Sequence, residues 1–113
     1  MADDNTCENG PVILHASDDG SDVARGLALA SDMLHDPDCA DRVLLVVNHT
    51  AIEGIRALNG VDIPEGLTVV ACAKAMRTHG IPASALDPRI NVVPSGIVFL
   101  AQQQRSHGWY IRL

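Results

Sequence analysis

Aromatic side chains are nearly missing from this sequence: its 113 residues include only Phe99, Trp109 and Tyr110. A core with so few rings must be aliphatic, and 47% of the chain is hydrophobic, enough for one domain without a metal or disulfide staple. An aliphatic core suits helices layered on a parallel sheet better than an all-β sandwich. The same scarcity counts against a flavin site, because flavin rings stack on aromatics and the only candidates, Trp109 and Tyr110, fall in the last segment.

Positive charge is equally thin. Lysine occurs once, at Lys74, the seven arginines are scattered, and the formal net charge is −6. Nucleic acid is therefore not an expected partner, since binding it needs a basic face that displaces counterions. No apolar run approaches the roughly 20 residues that span a bilayer, so no membrane segment is expected. The acidic, polar start Met1-Ala2-Asp3-Asp4-Asn5-Thr6 lacks the features of a secretory signal. Cys7, Cys39 and Cys72 are odd in number and show no paired spacing. They read as free thiols in a reducing, cytoplasmic compartment.

What is present is alternation. Residues 1–10 carry almost no apolar side chains and read as a flexible tail, leaving 11–113 as a single domain. Val12–Ala16 is a short apolar run stopped by the turn formers Ser17-Asp18-Asp19-Gly20. Ser21 or Asp22 is placed to cap a helix in which Val23, Leu27, Ala30 and Leu34 recur at helical spacing, broken by His35-Asp36-Pro37-Asp38. Val43–Val47 is a second, continuous apolar run. Thr50 is the expected cap of the next helix, with the stripe Ala51, Ile52, Ile55 and Leu58, closed by Asn59-Gly60. Leu67–Ala71 is the third run, leading into Cys72 and a short helix with Ala73 and Met76 on one face. Ile90–Val93 is the fourth, and Pro94-Ser95-Gly96 opens a helix with Ile97, Leu100 and Ala101 inward. Trp109–Arg112 is the fifth. A β-α repeat of this kind predicts an open, mainly parallel five-stranded sheet between helix layers, a three-layer α/β/α arrangement.

In such a sheet all strand C-termini meet at one edge, where ligands bind near the topological switch point. That edge should gather His15, Ser17 and Asp18, then Asn48 and His49, then Cys72 and Lys74, then Ser95. Cys72 is the candidate nucleophile. The free N–H groups of the following helix and the nearby Lys74 would favour its thiolate, whereas a buried, inert thiol is the bland alternative. His15 and His49 are candidates for acid–base or hydrogen-bonding roles, set against plain contact with solvent and backbone. Ser95 reads first as a helix cap, and His35, His79 and His107 as helix-end residues without a catalytic role.

Other chemistries fail on their own requirements. Ser17-Asp18-Asp19-Gly20 is acidic where a dinucleotide site wants a glycine-rich turn. A phosphoacceptor receiver needs an Asp after strand three, where Cys72 stands, and a Lys after strand five. Cys72-Ala73-Lys74-Ala75 lacks the second cysteine of a thioredoxin pair. Arg77 is one position too close to Cys72 for a cysteine phosphatase loop, and no His/Cys spacing matches a structural zinc site. No cofactor and no metal are expected.

The segment Val70-Ala71-Cys72-Ala73-Lys74-Ala75-Met76-Arg77-Thr78-His79-Gly80-Ile81 resembles the cysteine-bearing stretch of the DsrE/DsrF-like sulfur-relay family. Val92-Val93-Pro94-Ser95-Gly96-Ile97-Val98 and Gly108-Trp109-Tyr110-Ile111-Arg112 are similar to the ending of its small, uncharacterised members. The resemblance spans most of residues 12–113. It implies a flavodoxin-like α/β/α fold and assembly as a homotrimer or homohexamer. It also implies persulfide sulfur carried on Cys72 between donor and acceptor proteins, by a carrier rather than a multi-turnover enzyme. Lys74 departs from the polar amide that small members often have. Two functional expectations follow: a sulfur carrier using Cys72, with His15, Asn48 and Lys74 tuning the thiolate, or a non-catalytic ligand-binding or assembly module in which Cys72 is buried and dispensable.

Overall fold

The computed structural model describes residues 10–36 and 38–113, so the expected tail lies, apart from Gly10, outside the described residues, as do Cys7 and Pro37. Five strands form one all-parallel sheet: β1 (Val12–Ala16), β2 (Val43–Val47), β3 (Leu67–Cys72), β4 (Asn91–Val93) and β5 (Trp109–Arg112), in the spatial order β4-β3-β2-β1-β5. The open parallel sheet between helix layers is what the β-α alternation predicts, and it is consistent with the flavodoxin-like α/β/α arrangement that the resemblance implies. β4 begins at Asn91, one residue later than the Ile90 start expected.

Three connections lie on one face. They are α1 (Ser21–Leu34), a 3-10 helix over His49–Leu58, and α2 (Ala73–Thr78). Val23, Ala30, Ala51, Ile52, Ile55, Leu58, Ala75 and Met76 join Leu14, Leu45, Val47 and Val69 in the larger core there. The connection from β4 to β5, α3 (Gly96–Arg105), covers the opposite face, where Leu100 packs with Ile13, Val46 and Val70. β3 therefore sends its chain to one side of the sheet and its neighbour β4 to the other. That divergence opens the crevice in which α/β sheets bind ligands.

Three local expectations change. α1 starts at Ser21 with Gly20 at the cap position, so neither Ser21 nor Asp22 caps it, and the Asp19 carboxylate ahead of it accepts from the backbone N–H and hydroxyl of Ser21. Those bonds hold the Asp19 carboxyl below the usual carboxylate range. The segment after β2 begins at His49 rather than after Thr50 and winds as a 3-10 helix. Its buried residues explain the winding. Ile52, Ile55 and Leu58 are three apart, and residues i and i+3 eclipse on a helix of three residues per turn. In α3, Gly96 and Leu100 are buried and Phe99 and Gln103 half-buried, while Ile97 and Ala101, expected inward, are exposed. Val98 of α3 also faces outward. Among the described residues no helix is long and apolar enough to cross a membrane.

Candidate functional site around Cys72

The register aligns the strand ends: Ala16 pairs with Val47, Val47 with Ala71, and Cys72 with Val93. The residues that follow must then lie along one edge. An open pocket of about 280 Å³ sits there, lined by Asn48, His49, Cys72, Lys74, Ala75, Thr78, His79, Ser95 and Ile97. Five of the eight residues expected at this edge, Asn48, His49, Cys72, Lys74 and Ser95, thus line it. Ser17 and Asp18 do not, and His15 stands behind it.

Cys72 ends β3 in extended conformation (φ −83°, ψ 117°) and directly precedes α2. It is a free thiol, 6% exposed, and reaches solvent through the pocket. Gly96, at the start of α3, approaches it from the other face of the sheet. A Cβ built there would lie 3.2 Å from Asn48 Cβ and 3.3 Å from Cys72 Cβ, so the missing side chain lets α3 close over both residues. Ser95 caps α3, its Oγ accepting from the Val98 N–H at 3.3 Å, which is the role expected for it.

His49 turns the chain out of β2 with φ +50°, a left-handed conformation that costs a residue with a Cβ about 1–3 kcal/mol. The turn keeps its ring at the pocket, bonded to the Thr50 hydroxyl at 3.1 Å. Lys74, in the lining, makes no ion pair with another described residue. Thr78 donates its hydroxyl to the Lys74 carbonyl at 3.1 Å. His79 donates from Nδ1 to the Glu53 carboxylate at 2.9 Å, tying α2 to the 3-10 helix. Its expected place at a helix end is met, and it lines the pocket as well. Sequence reasoning missed Thr78, His79 and Ile97 as lining residues because they lie one helical turn beyond the strand ends.

Behind the pocket, His15 is 5% exposed and uses both ring nitrogens. Nδ1 lies 2.6 Å from the Tyr110 hydroxyl and Nε2 lies 2.9 Å from Asn48 Oδ1. Tyr110 comes from β5, which lies beside β1 with Tyr110 opposite Ile13 and Arg112 opposite His15. Asp18, expected at this edge, pairs instead with Arg112 at 2.6 Å and raises the arginine above its usual value. Among the described residues no group of three or more His, Cys, Asp or Glu side chains could hold a metal ion.

No family model matches the chain, and no curated protein is similar to it. Its fold has a solved counterpart. The structure of the protein of unknown function MTH1491 from Methanobacterium thermoautotrophicum matches 92% of this chain and 99% of its own, with a TM-score of 0.69 at 22% identity. Similarity at that level establishes a shared α/β architecture, so any reading of function rests on the site.

Chemically, the pocket offers one thiol, one ammonium, two imidazoles and an amide, all within an open crevice. It has a single sulfur among the described residues, and Cys39, the other described thiol, does not line it. What the set can do is accept a group on sulfur and present it to another molecule.

Proposed function

We propose that this protein is a small sulfur carrier of the DsrE-like kind, receiving and surrendering persulfide sulfur through Cys72. The observation that carries this reading is the position of Cys72: a lone thiol in the lining of an open pocket, beside Lys74, which pairs with no other described residue, at the crevice between β3 and β4. The Cys72 thiolate attacks the outer sulfur of a donor persulfide. The donor S–S bond breaks, the donor leaves as a thiolate, and a Cys72 persulfide remains. An acceptor thiolate then attacks that outer sulfur and regenerates the Cys72 thiolate. No net oxidation occurs in either step, so no cofactor is required. Lys74 and Asn48 stabilise the anionic sulfur, and His49 and Ser95 complete the wall against which the terminal sulfur sits. A cytoplasmic setting agrees with the free thiols of Cys39 and Cys72. Assembly as a homotrimer or homohexamer is part of the same reading and is supported by the exposed apolar side chains of α3 and β5.

The test is intact mass after incubation with a persulfide or polysulfide donor. Wild type gains steps of about 32 Da, one per sulfur, and Cys72→Ser does not. Equal gain by both proteins, or none by either, overturns the proposal.

One observation favours the second reading, a ligand-binding or assembly module without sulfur chemistry: Cys72 is only 6% exposed, as an inert core thiol would be. On that reading Cys72→Ala folds, assembles and binds as wild type does, and Cys72 resists alkylation in the native protein.

A further inference from the structure

Three buried or half-buried polar groups join β5 to the pocket through β1 and β2. Asn48 Oδ1 can only accept, so at 2.9 Å the His15 Nε2 must donate to it. A neutral imidazole that donates from Nε2 accepts at Nδ1, and the Tyr110 hydroxyl at 2.6 Å supplies that proton. With His15 neutral, the direction of all three groups is thereby set. Asn48 is 6% exposed, yet its Nδ2 bonds to no described residue. Among the described residues no fully buried side-chain nitrogen or oxygen lacks a partner, so Nδ2 opens onto accessible space, and the space Asn48 lines is the pocket of Cys72. Asn48 and Cys72 also converge on the same point at Gly96.

We propose that Tyr110 and His15 are positioning residues that lock the Asn48 amide so that its Nδ2–H groups, and not its carbonyl oxygen, face sulfur at Cys72. The proposal rests on Cys72 being the reactive thiol. Without the lock the amide is free to rotate by half a turn and present Oδ1, which repels a thiolate or a terminal persulfide sulfur. With it, the pocket keeps a neutral hydrogen-bond donor beside the anion, independent of the salt that screens Lys74. Tyr110 thus acts on Cys72 from three strands away.

The experiment is alkylation of the full-length protein by iodoacetamide, followed on the Cys72 peptide by mass spectrometry at pH 7 and pH 10. Tyr110→Phe, which removes one oxygen from a half-exposed ring, slows the reaction at pH 7 by roughly threefold to tenfold, part of a charge-assisted hydrogen bond. At pH 10, above the ordinary thiol value of about 8.5, the two rates converge. Lys74 of α2, His79 just after it and His49 of the 3-10 helix, with Glu53 behind His79, also face the pocket and are unaltered in the variant. Asn48→Ala slows the pH 7 reaction at least as much, and adding Tyr110→Phe to it has no further effect. Nitrogen-15 NMR shows His15 protonated at Nε2 in wild type and a mixture of tautomers in Tyr110→Phe. Equal pH 7 rates for wild type and Tyr110→Phe, undiminished slowing in the Asn48→Ala background, or an Nδ1-protonated His15 overturns the proposal. Should Asn48→Ala not fold, Tyr110→Phe and the NMR spectrum decide it alone. Sulfur loading is read separately. Normal relay behaviour without mass gain removes the sulfur-carrier reading and leaves the lock standing, and mass gain with a silent Tyr110→Phe does the reverse.

Discussion

Gly54 lies where the 3-10 helix crosses the start of α1, and a Cβ there would overlap the Gly20 carbonyl oxygen. Backbone cannot step aside as a flexible side chain can. Gly54→Ala should therefore cost about 1–3 kcal/mol, the range of overpacked sites, seen as a lower urea midpoint with an unchanged slope. Gly96 is a milder case, because its neighbours at 3.2 and 3.3 Å are side-chain carbons that need to yield only slightly. Gly96→Ala should change stability by no more than about 1 kcal/mol while altering the alkylation rate of Cys72 several-fold, since the atoms that yield are those of the site. Cys72, Asn48, His49, Lys74 and Ser95 were legible in the sequence because each follows the end of an apolar run, and a parallel sheet brings such ends together whatever its strand order. Tyr110 was not legible. Its contact with His15 depends on β5 lying beside β1, and nothing local in Gly108-Trp109-Tyr110-Ile111-Arg112 specifies that neighbour.

Helix faces show the same division. The 3-10 helix declares itself through three large aliphatics, Ile52, Ile55 and Leu58, all buried. Truncating the central one, Ile55→Ala, should cost about 2–5 kcal/mol by urea unfolding, as deletion at other closed core sites does. In α3 the covered positions are Gly96, Phe99, Leu100 and Gln103, which follow i, i+3, i+4, i+7 spacing. Two of the four carry no apolar side chain, so Ile97 and Ala101 suggested the wrong face. Loops between elements have their own supports. Asp87, ahead of β4, accepts from the Arg89 guanidinium at 2.8 Å and the Gly60 N–H at 3.2 Å, while its own N–H reaches Asn59 Oδ1 at 2.9 Å. The Arg89 bonds, side-chain before backbone, then Gly60, hold the Asp87 carboxyl far below the usual carboxylate range. A carboxyl lowered in the folded state stabilises above its unfolded value of about 3.9, and that contribution is lost as pH falls toward the folded value. Asp87→Asn should then melt below wild type at pH 7, and calorimetry should show the gap narrowing as pH drops under about 4.

The whole molecule is unevenly covered. Among the described residues, three helical connections blanket one face of the sheet, but α3 alone serves the other, and β5 closes the edge with all four residues exposed. Trp109 and Ile97 are each 62% exposed, with Val98, Tyr110 and Ile111 also outward. A chain this poor in aromatics has placed two of its three on an open edge strand, whose outer N–H and C=O groups are paired to no described strand. That surface is the natural contact of the proposed homotrimer or homohexamer. Each copy brings a formal charge of −6, so association must overcome like-charge repulsion that salt screens. Two consequences separate apolar association from charge-driven association. Sedimentation at micromolar concentration should show a species three or six times the 12.0 kDa chain, favoured rather than weakened as salt rises. Trp109→Glu, which adds charge at the edge and removes its largest apolar side chain, should shift the population to monomer, with the helix signal of the folded chain preserved because Trp109 contributes little to the core. Monomeric wild type under the same conditions, or an oligomer that salt dissolves, would show that this edge is not what holds the copies together.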